Sequence, residues 1–536
     1  MSAPDLHAAN DVIQIAQRVV NTAIRHLESI GGPDANQVVA YDLAHAASAV
    51  ATAQSLLDYG AKGELESRLT CAYVADMVHD LITRVAGRET LWGVETAPFR
   101  AAHGFLETYR SPEFVASLAL TPGPRHLSDD FEMVQDTFRS FAEKVIAPRA
   151  EHVHRYNADV PEEIISGLAE MGAFGLSVPA EYGGFSEGGS GEYTAMVVAT
   201  EELSRGSLGI GGSLITRPEI LTRALVKGGT EAQKQEWLPK LASAEVMVAV
   251  AATEPDYGSD VANVLVTATP AGGPNGEAGY VINGVKTWCT FAARANVLML
   301  IARTDPDRNK THRGLSIFIV PKPLGDAHGF QFAQGQRPDG TAGRMEGRPI
   351  DTIGYRGMHS YEIALENWWV PAENLIGEDG GVGRGFYYQM EGFENGRLQT
   401  AARAVGVMQA AYEAAVEYAQ NRKVFGNNIV EYQLTQAKLG RMAVLIQAGR
   451  QFSYHVAVLM AKGEGALEAS MVKAYVCKAA EWVCREAMQI HGGYGYAEEY
   501  KVSRLFVDAR VLSIFEGADE TLCLKVIARR LVENSA

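Results

Sequence analysis

A chain of 536 residues, 47% hydrophobic and 21% charged, has the composition of a folded protein too long for one hydrophobic core, so several domains are expected. The formal net charge of −16 repels nucleic-acid phosphates, and no run approaches the roughly 18 apolar residues of a membrane span, so neither nucleic acid nor a membrane is expected as a partner. The N-terminal MSAPDLHAANDVIQ has no basic segment before an apolar run, which predicts a cytoplasmic protein, and five scattered cysteines (Cys71, Cys289, Cys477, Cys484, Cys523) without a CxxC pair argue against disulfides or structural zinc.

Apolar residues recur at helical spacing over 12–27 (Val12, Ala16, Val19, Ala23, Leu27), and Ala-rich stretches follow at 38–59 and 63–86. They predict an all-helical region over residues 1–125. TPGPRHLSDD, with two prolines and a cluster of capping residues, marks a boundary, and a second helical domain is expected over 126–245, interrupted by the Gly-rich loop AEYGGFSEGGSGEY. Over 246–378 the texture changes to alternating and β-branched runs such as GYVINGVKTW, NVLMLIAR and GLSIFIVPK, with Asn283-Gly284 as a hairpin signal, which predicts a β domain. After GEDGGVGRGF the helical pattern returns over 379–536, clearest in Val472, Val476, Ala479, Val483, Ala487 and Ile490. The fold class is α+β and mostly α.

The chain lacks a Walker A motif, HExxH, and a GxGxxG placed between strand and helix, which weighs against a nicotinamide-dependent dehydrogenase. Three other patterns carry chemistry. AATEPDYGSD offers Thr253, Tyr257, Gly258 and Ser259, hydroxyls at a tight turn that is either an ordinary loop or the rim of a site. NGVKTWCTFA places Trp288 and Thr290 on alternate strand positions, so an indole and a hydroxyl share a face that suits a planar heterocycle; a packed core Trp is the alternative. SIFEGADET sets Glu516 at an apolar edge, where desolvation disfavours the charged carboxylate and suits a general base; a helix-capping acid is the alternative.

Taken in order, TEPDYGSD, KTWCTFA, NRKVFG, QIHGGYGY and IFEGADET resemble the acyl-CoA dehydrogenase family from about Leu127 to Val532. The resemblance implies a helical domain, a β domain and a C-terminal four-helix bundle, with FAD as cofactor and an acyl-CoA as substrate. It assigns FAD contacts to Thr253, Trp288, Thr290, Arg422, Phe425, Gln433, Gln489, Gly492 and Gly493. It assigns acyl-CoA contacts to Ser259, Glu394, Arg397 and Tyr494, and the catalytic base to Glu516. Some members carry the base just before an arginine on an earlier helix, but GFENGRLQT has Gly396 before Arg397, which leaves Glu516. Ala518 and Asp519 depart from the Thr and Ser commoner in the family and put one flavin contact in doubt. The resemblance further implies electron-transfer flavoprotein as acceptor and an FAD site shared across a homodimer.

Two departures bear on the substrate: the extra N-terminal region, and a long connection, HGFQFAQGQRPDGTAGRMEGRPIDTIGYRGMHS. They resemble family members acting on a short, branched acyl-CoA with a free carboxylate. Gly211 stands where some members carry a carboxylate-binding arginine, so Arg217 is the candidate cation, with an exposed helix residue as the alternative.

Overall fold

The computed structural model describes residues 3–326 and 328–535, which form two compact units. One comprises the chain up to residue 140 with 197–206 and 397–536; the other comprises 141–196 and 207–396. All five cysteines are free and buried, and among the described residues no helix is long and apolar enough to cross a membrane.

The first unit is helical. Its N-terminal part holds α1 (Leu6–Ser29), α2 (Gln37–Gly60) and α3 (Glu64–Val85). The Asp5 carboxylate caps α1 by accepting from the Ala8 N–H at 2.9 Å, and the buried residues Val12, Ala16, Val19, Ala23 and Leu27 make its inner stripe. α2 buries alanines on several faces, because it is packed on more than one side and small side chains let helix axes approach. α4 (Asp129–Phe141) follows the Pro-rich segment, and α5 (Ala147–Tyr156) and α6 (Glu162–Glu170) belong to the second unit. The end of α7 (Ser190–Gly206) returns to the first unit and contributes Glu201, buried against Arg125 (2.9 Å) and Arg450 (2.7 Å). Burial opposes ionisation there, and Arg125 and Arg450 outweigh it, holding the Glu201 carboxyl below the usual range.

The second unit continues with α8 (Thr216–Gly228) and α9 (Glu231–Ala242), whose Thr230–Gln233 capping box starts the latter. An eight-stranded sheet follows: β1 (Val248–Ala251), β2 (Thr267–Gly272), β3 (Ala278–Thr290), β4 (Val297–Arg303), β5 (Leu315–Pro321), β6 (Phe330–Gln336), β7 (Ala342–Ile350) and β8 (Ser360–Pro371). β4 runs parallel to β1 and, at Arg303, to the first residue of β2, and antiparallel to β5. β4 is buried at every residue, since strands covered on both faces read as continuous apolar runs. The antiparallel series β2-β3-β8-β7-β6 completes the sheet, so the long connection of the sequence is a strand pair, β6 and β7.

The expected hairpin at Asn283-Gly284 is a correction. β3 runs straight through that dipeptide with a register shift against β8, and Gly284 has φ +134° beside Val266. The glycine serves a bulge, and the β2–β3 turn lies eight residues earlier at Asn275-Gly276, where the Gly273 N–H donates to Glu277 O at 2.8 Å. Both dipeptides satisfy the local rule for a hairpin, and strand length decided between them.

The helical unit resumes within α10 (Gly385–Asn421) and continues with α11 (Gln433–Ala461), α12 (Ala466–His491) and α13 (Lys501–Leu512). Gly406 on α10 and Gly440 on α11 permit close crossings: a Cβ would lie 2.2 Å from Glu201 O and 2.0 Å from Val115 O respectively. Asp76 of α3 binds Arg441 of α11 at 2.9 Å, and Gln447 of the same helix donates to Pro122 O at 2.7 Å. The N-terminal region is thus packed on the C-terminal helices.

Gly284→Ala is expected to lower the unfolding free energy by about 1–3 kcal/mol, since φ +134° strains any Cβ and Val266 leaves no room. Urea unfolding checks it, and an unchanged midpoint would mean that the bulge relaxes at no cost.

Candidate active site

In the sheet-bearing unit, the loop after β1 carries Thr253 and Ser259, and the end of β3 carries Trp288 and Thr290. The Thr287 N–H donates to Thr253 O at 2.9 Å, which ties loop to strand. Beneath them Lys286, fully buried, donates to Glu254 Oε1 at 2.8 Å and to Ala252 O at 3.1 Å. Glu254 also accepts from the backbone N–H groups of Leu265 (2.6 Å) and Val266 (2.9 Å). Burial pushes the Lys286 ammonium below its ordinary value, and the Glu254 charge opposes that fall. Sequence reasoning missed this pair; a charged residue inside the apolar run of a strand was the available signal.

A second register shift in β3, between Lys286 and Cys289, puts Trp288 at φ +56°. Lys286 and Thr287 are consequently both buried, while the Trp288 side is 55% exposed, which excludes the packed-core alternative. Cys289 turns inward and Thr290 turns out again, its hydroxyl 3.0 Å from that of Ser360. An open indole face beside a hydroxyl pair can receive a flat, polar-edged ring.

GIGGSLITRPEI is a wide turn of π type at Leu208–Gly212 followed by α8 from Thr216. Gly211 is buried in that turn, and Gly209 faces Arg356 O so closely that a Cβ would lie 2.2 Å from it. Arg217, in the first turn of α8, is only 5% exposed, which removes the exposed-residue alternative.

Glu516 lies in the helical unit, on the loop after α13. It is half-buried and sits at φ +54°, followed by Gly517 at φ +101°. Left-handed backbone at a non-glycine residue is uncommon and persists where surroundings over-determine it. Here alternate residues are anchored. The Ser513 hydroxyl donates to Glu481 Oε1 (2.5 Å), the Arg403 guanidinium lies 5.5 Å from the centre of the Phe515 ring, and Lys473 Nζ donates to Gly517 O (2.6 Å). Asp519, the last of the series, closes the loop by donating its N–H to Ser513 O at 3.1 Å. Burial pushes the Lys473 ammonium below its ordinary value; Cys477, Asp519 and Glu516 pull it up, and Arg397 adds to the depression. Arg397 itself, half-buried on α10, donates to the Ser470 hydroxyl at 3.1 Å. Glu394 is half-buried one turn earlier on the same helix.

The same unit contains an open cleft of about 630 Å³ lined by Tyr418, Arg422, His491, Gly492, Gly493 and Tyr494, among others. Tyr418 stacks on His491 with ring centres 4.2 Å apart, and Gly492 (φ +60°, ψ −135°) ends α12 in a conformation open to glycine. NRKVFG and QIHGGYGY therefore meet, although 66 residues of sequence lie between Phe425 and the cleft residue Gly492. Phe425 caps the adjacent two-stranded turn at φ +52° and is 95% exposed. Gln433 and Gln489 are exposed outside the cleft lining, and the Gln433 amide donates to Glu113 at 3.3 Å.

Three family models match the chain: Acyl-CoA dehydrogenase, N-terminal domain, over 128–245; middle domain, over 249–368; and C-terminal domain, over 383–532. Over 415 residues the chain is 45% identical to (2S)-methylsuccinyl-CoA dehydrogenase of Cereibacter sphaeroides, covering 77% of this chain and 71% of that protein. Among solved structures it resembles a chain from the electron transferring flavoprotein study of Acidaminococcus fermentans (30% identity, TM-score 0.66, 76% of this chain and 99% of that one). It also resembles the glutaryl-coenzyme A dehydrogenase glutaryl-CoA complex (32% identity, TM-score 0.65, 75% and 95%).

Lys286→Ala strands Glu254 in the interior, and a loss of about 3–5 kcal/mol in unfolding free energy is expected. Denaturant titration measures it; a loss under 1 kcal/mol would show that Glu254 finds another partner.

Proposed function

The chain belongs to the acyl-CoA dehydrogenase family, an oxidoreductase family, and from that premise we propose that it oxidises (2S)-methylsuccinyl-CoA to mesaconyl-CoA. The observation that carries the substrate is the 45% identity with a (2S)-methylsuccinyl-CoA dehydrogenase over three quarters of the chain. The family is FAD-dependent, and the residues present fit that cofactor: an exposed indole with hydroxyl neighbours, and a cleft that joins a guanidinium to glycine backbone. FAD, when bound, supplies the two-electron acceptor for the hydrogen leaving the β carbon.

Thr253, Trp288 and Thr290 are assigned to the flavin ring end. Arg422, Gly492 and Gly493, with Phe425, Gln433 and Gln489, are assigned to the remainder of the cofactor. A guanidinium stays charged and binds a pyrophosphate through paired donors. A phenylalanine at 95% exposure on a tight turn suits a surface completed by a second copy of the chain, so the protein is proposed to be a homodimer. Ser259, Glu394, Arg397 and Tyr494 are assigned to the acyl-CoA.

Glu516 takes the α-proton. It sits at φ +54° between residues tied to helices, and its own N–H is assigned to the thioester oxygen as charge develops there. The free carboxylate of methylsuccinyl-CoA needs a donor, and Arg217, held out of water at the start of α8, supplies a two-pronged one. Electron-transfer flavoprotein is the proposed acceptor of the electrons. Residues 1–125 form a region added to the three family domains.

Anaerobic mixing with methylsuccinyl-, glutaryl-, butyryl- and isobutyryl-CoA, following the oxidised flavin band, tests the substrate: fast bleaching by methylsuccinyl-CoA alone is expected, and preference for a monocarboxylic acyl-CoA would overturn it. Glu516→Gln should retain FAD and lose at least about a thousand-fold in bleaching rate, within the range attributed to a positioned general base. Arg217→Met should raise the half-saturating methylsuccinyl-CoA concentration at least about ten-fold and leave butyryl-CoA unaffected, the loss expected for one charge-assisted hydrogen-bonded partner.

A further inference from the structure

The N-terminal region lies outside the family models, yet it reaches the loop that bears Glu516. On α2, Tyr41 and His45 are one turn apart with rings 4.8 Å between centres, and both point at one carboxylate. The Tyr41 hydroxyl donates to Asp519 Oδ2 at 2.5 Å, and His45 Nε2 stands 3.2 Å from the same oxygen. Lys478 Nζ, on α12, is 3.4 Å away. His45 and Asp519 are 7% and 4% exposed, so water does not compete for these bonds. Burial works against the Asp519 charge, but His45, Tyr41 and Lys478 outweigh it and hold the pKa down to about 2.

Asp519 is the fourth anchor of the series at 513, 515, 517 and 519. The first three take their partners from α10 and α12, within the family's C-terminal domain; the fourth takes two of its four, Tyr41 and His45, from α2. A carboxylate accepts from a tyrosine, an imidazole and an ammonium together. His45, Asp519 and Cys523 lie within 4.8 Å of one another, the spacing of a metal site. The ammonium and hydroxyl already on Oδ2 and the thiol pushed up by burial speak against a cation there.

We infer that Tyr41 and His45 are positioning residues for the reaction: through Asp519 they hold the Glu516 loop in its left-handed turn, so the added N-terminal region completes the base's support. The inference rests on Glu516 being the base. Misplacing a reacting group by about 1 Å can cost about a hundred-fold in rate, so losing one of two anchors should be visible in chemistry before it is visible in folding.

The test uses the full chain with FAD and the acyl-CoA that bleaches it fastest in the panel above. Tyr41→Phe and His45→Ala are each expected to slow flavin reduction roughly ten-fold or more, with FAD content, half-saturating substrate concentration and unfolding temperature little changed. The isotope effect on reduction of α-deuterated substrate should rise, and His45→Gln, which keeps a donor near Nε2, should restore most of the rate. Wild-type rates and isotope effects in Tyr41→Phe and His45→Ala, beside a dead Glu516→Gln, would overturn the inference and leave the base intact. Loss of FAD or of folding in step with rate would reduce the pair to scaffold and overturn it too. Fast reduction by Glu516→Gln would remove the base reading itself.

Discussion

A carboxylate placed on a left-handed corner has to be held there. Glu516 at φ +54° gives up local backbone comfort, on the order of 1–3 kcal/mol for such a residue, and the chain recovers it through bonds at every second position of the loop. Those bonds come from three different helices, α2, α10 and α12, so the corner exists only if the helices keep their mutual register. The alanine-rich faces of α2, the close crossings at Gly406 and Gly440 and the buried Glu201 with its two arginines all serve that end. They set distances between axes and forbid sliding, because a one-residue slip would bury an unpaired charge.

The sheet-bearing unit solves a similar problem with different means. To present an indole outward at the end of β3, the strand takes on a bulge, and the ladder loses a regular pair there. Lys286 and Glu254 fill the space beneath, tying strand, loop and the start of β2 through one ammonium and two backbone donors. A buried pair of this kind contributes little net energy against a well-packed apolar substitute, but it admits one geometry. The outcome is a rigid floor under Thr253 and Trp288.

The match to the family models begins at residue 128, and the preceding region could be regarded as an appendage. Its packing speaks otherwise. Asp76 and Asp34 engage Arg441, Lys525 and Arg529, and Tyr73 meets Tyr475 edge-on with ring centres 5.9 Å apart. A region bonded to the C-terminal helices at this many points shares their order, and a proposed function for those helices extends to it.

Read alone, the chain determined a good deal: which stretches are helical and which are strands, where the Pro-rich boundary falls, and that KTWCTFA, NRKVFG, QIHGGYGY and IFEGADET are the segments worth watching. Those are local properties, set by periodicity of 3.6 or 2 and by the chemistry of short motifs. Tertiary structure decided the rest. Gly284 became a bulge and Gly276 a turn although both follow asparagine, because pairing with β8 runs past one and not the other. Arg217 proved buried, since a helix start is exposed or enclosed according to what packs on it. Asp519 found its partners 474 and 478 residues earlier, a distance over which sequence carries no periodic signal and only the packing of α2 on the C-terminal helices brings the groups together.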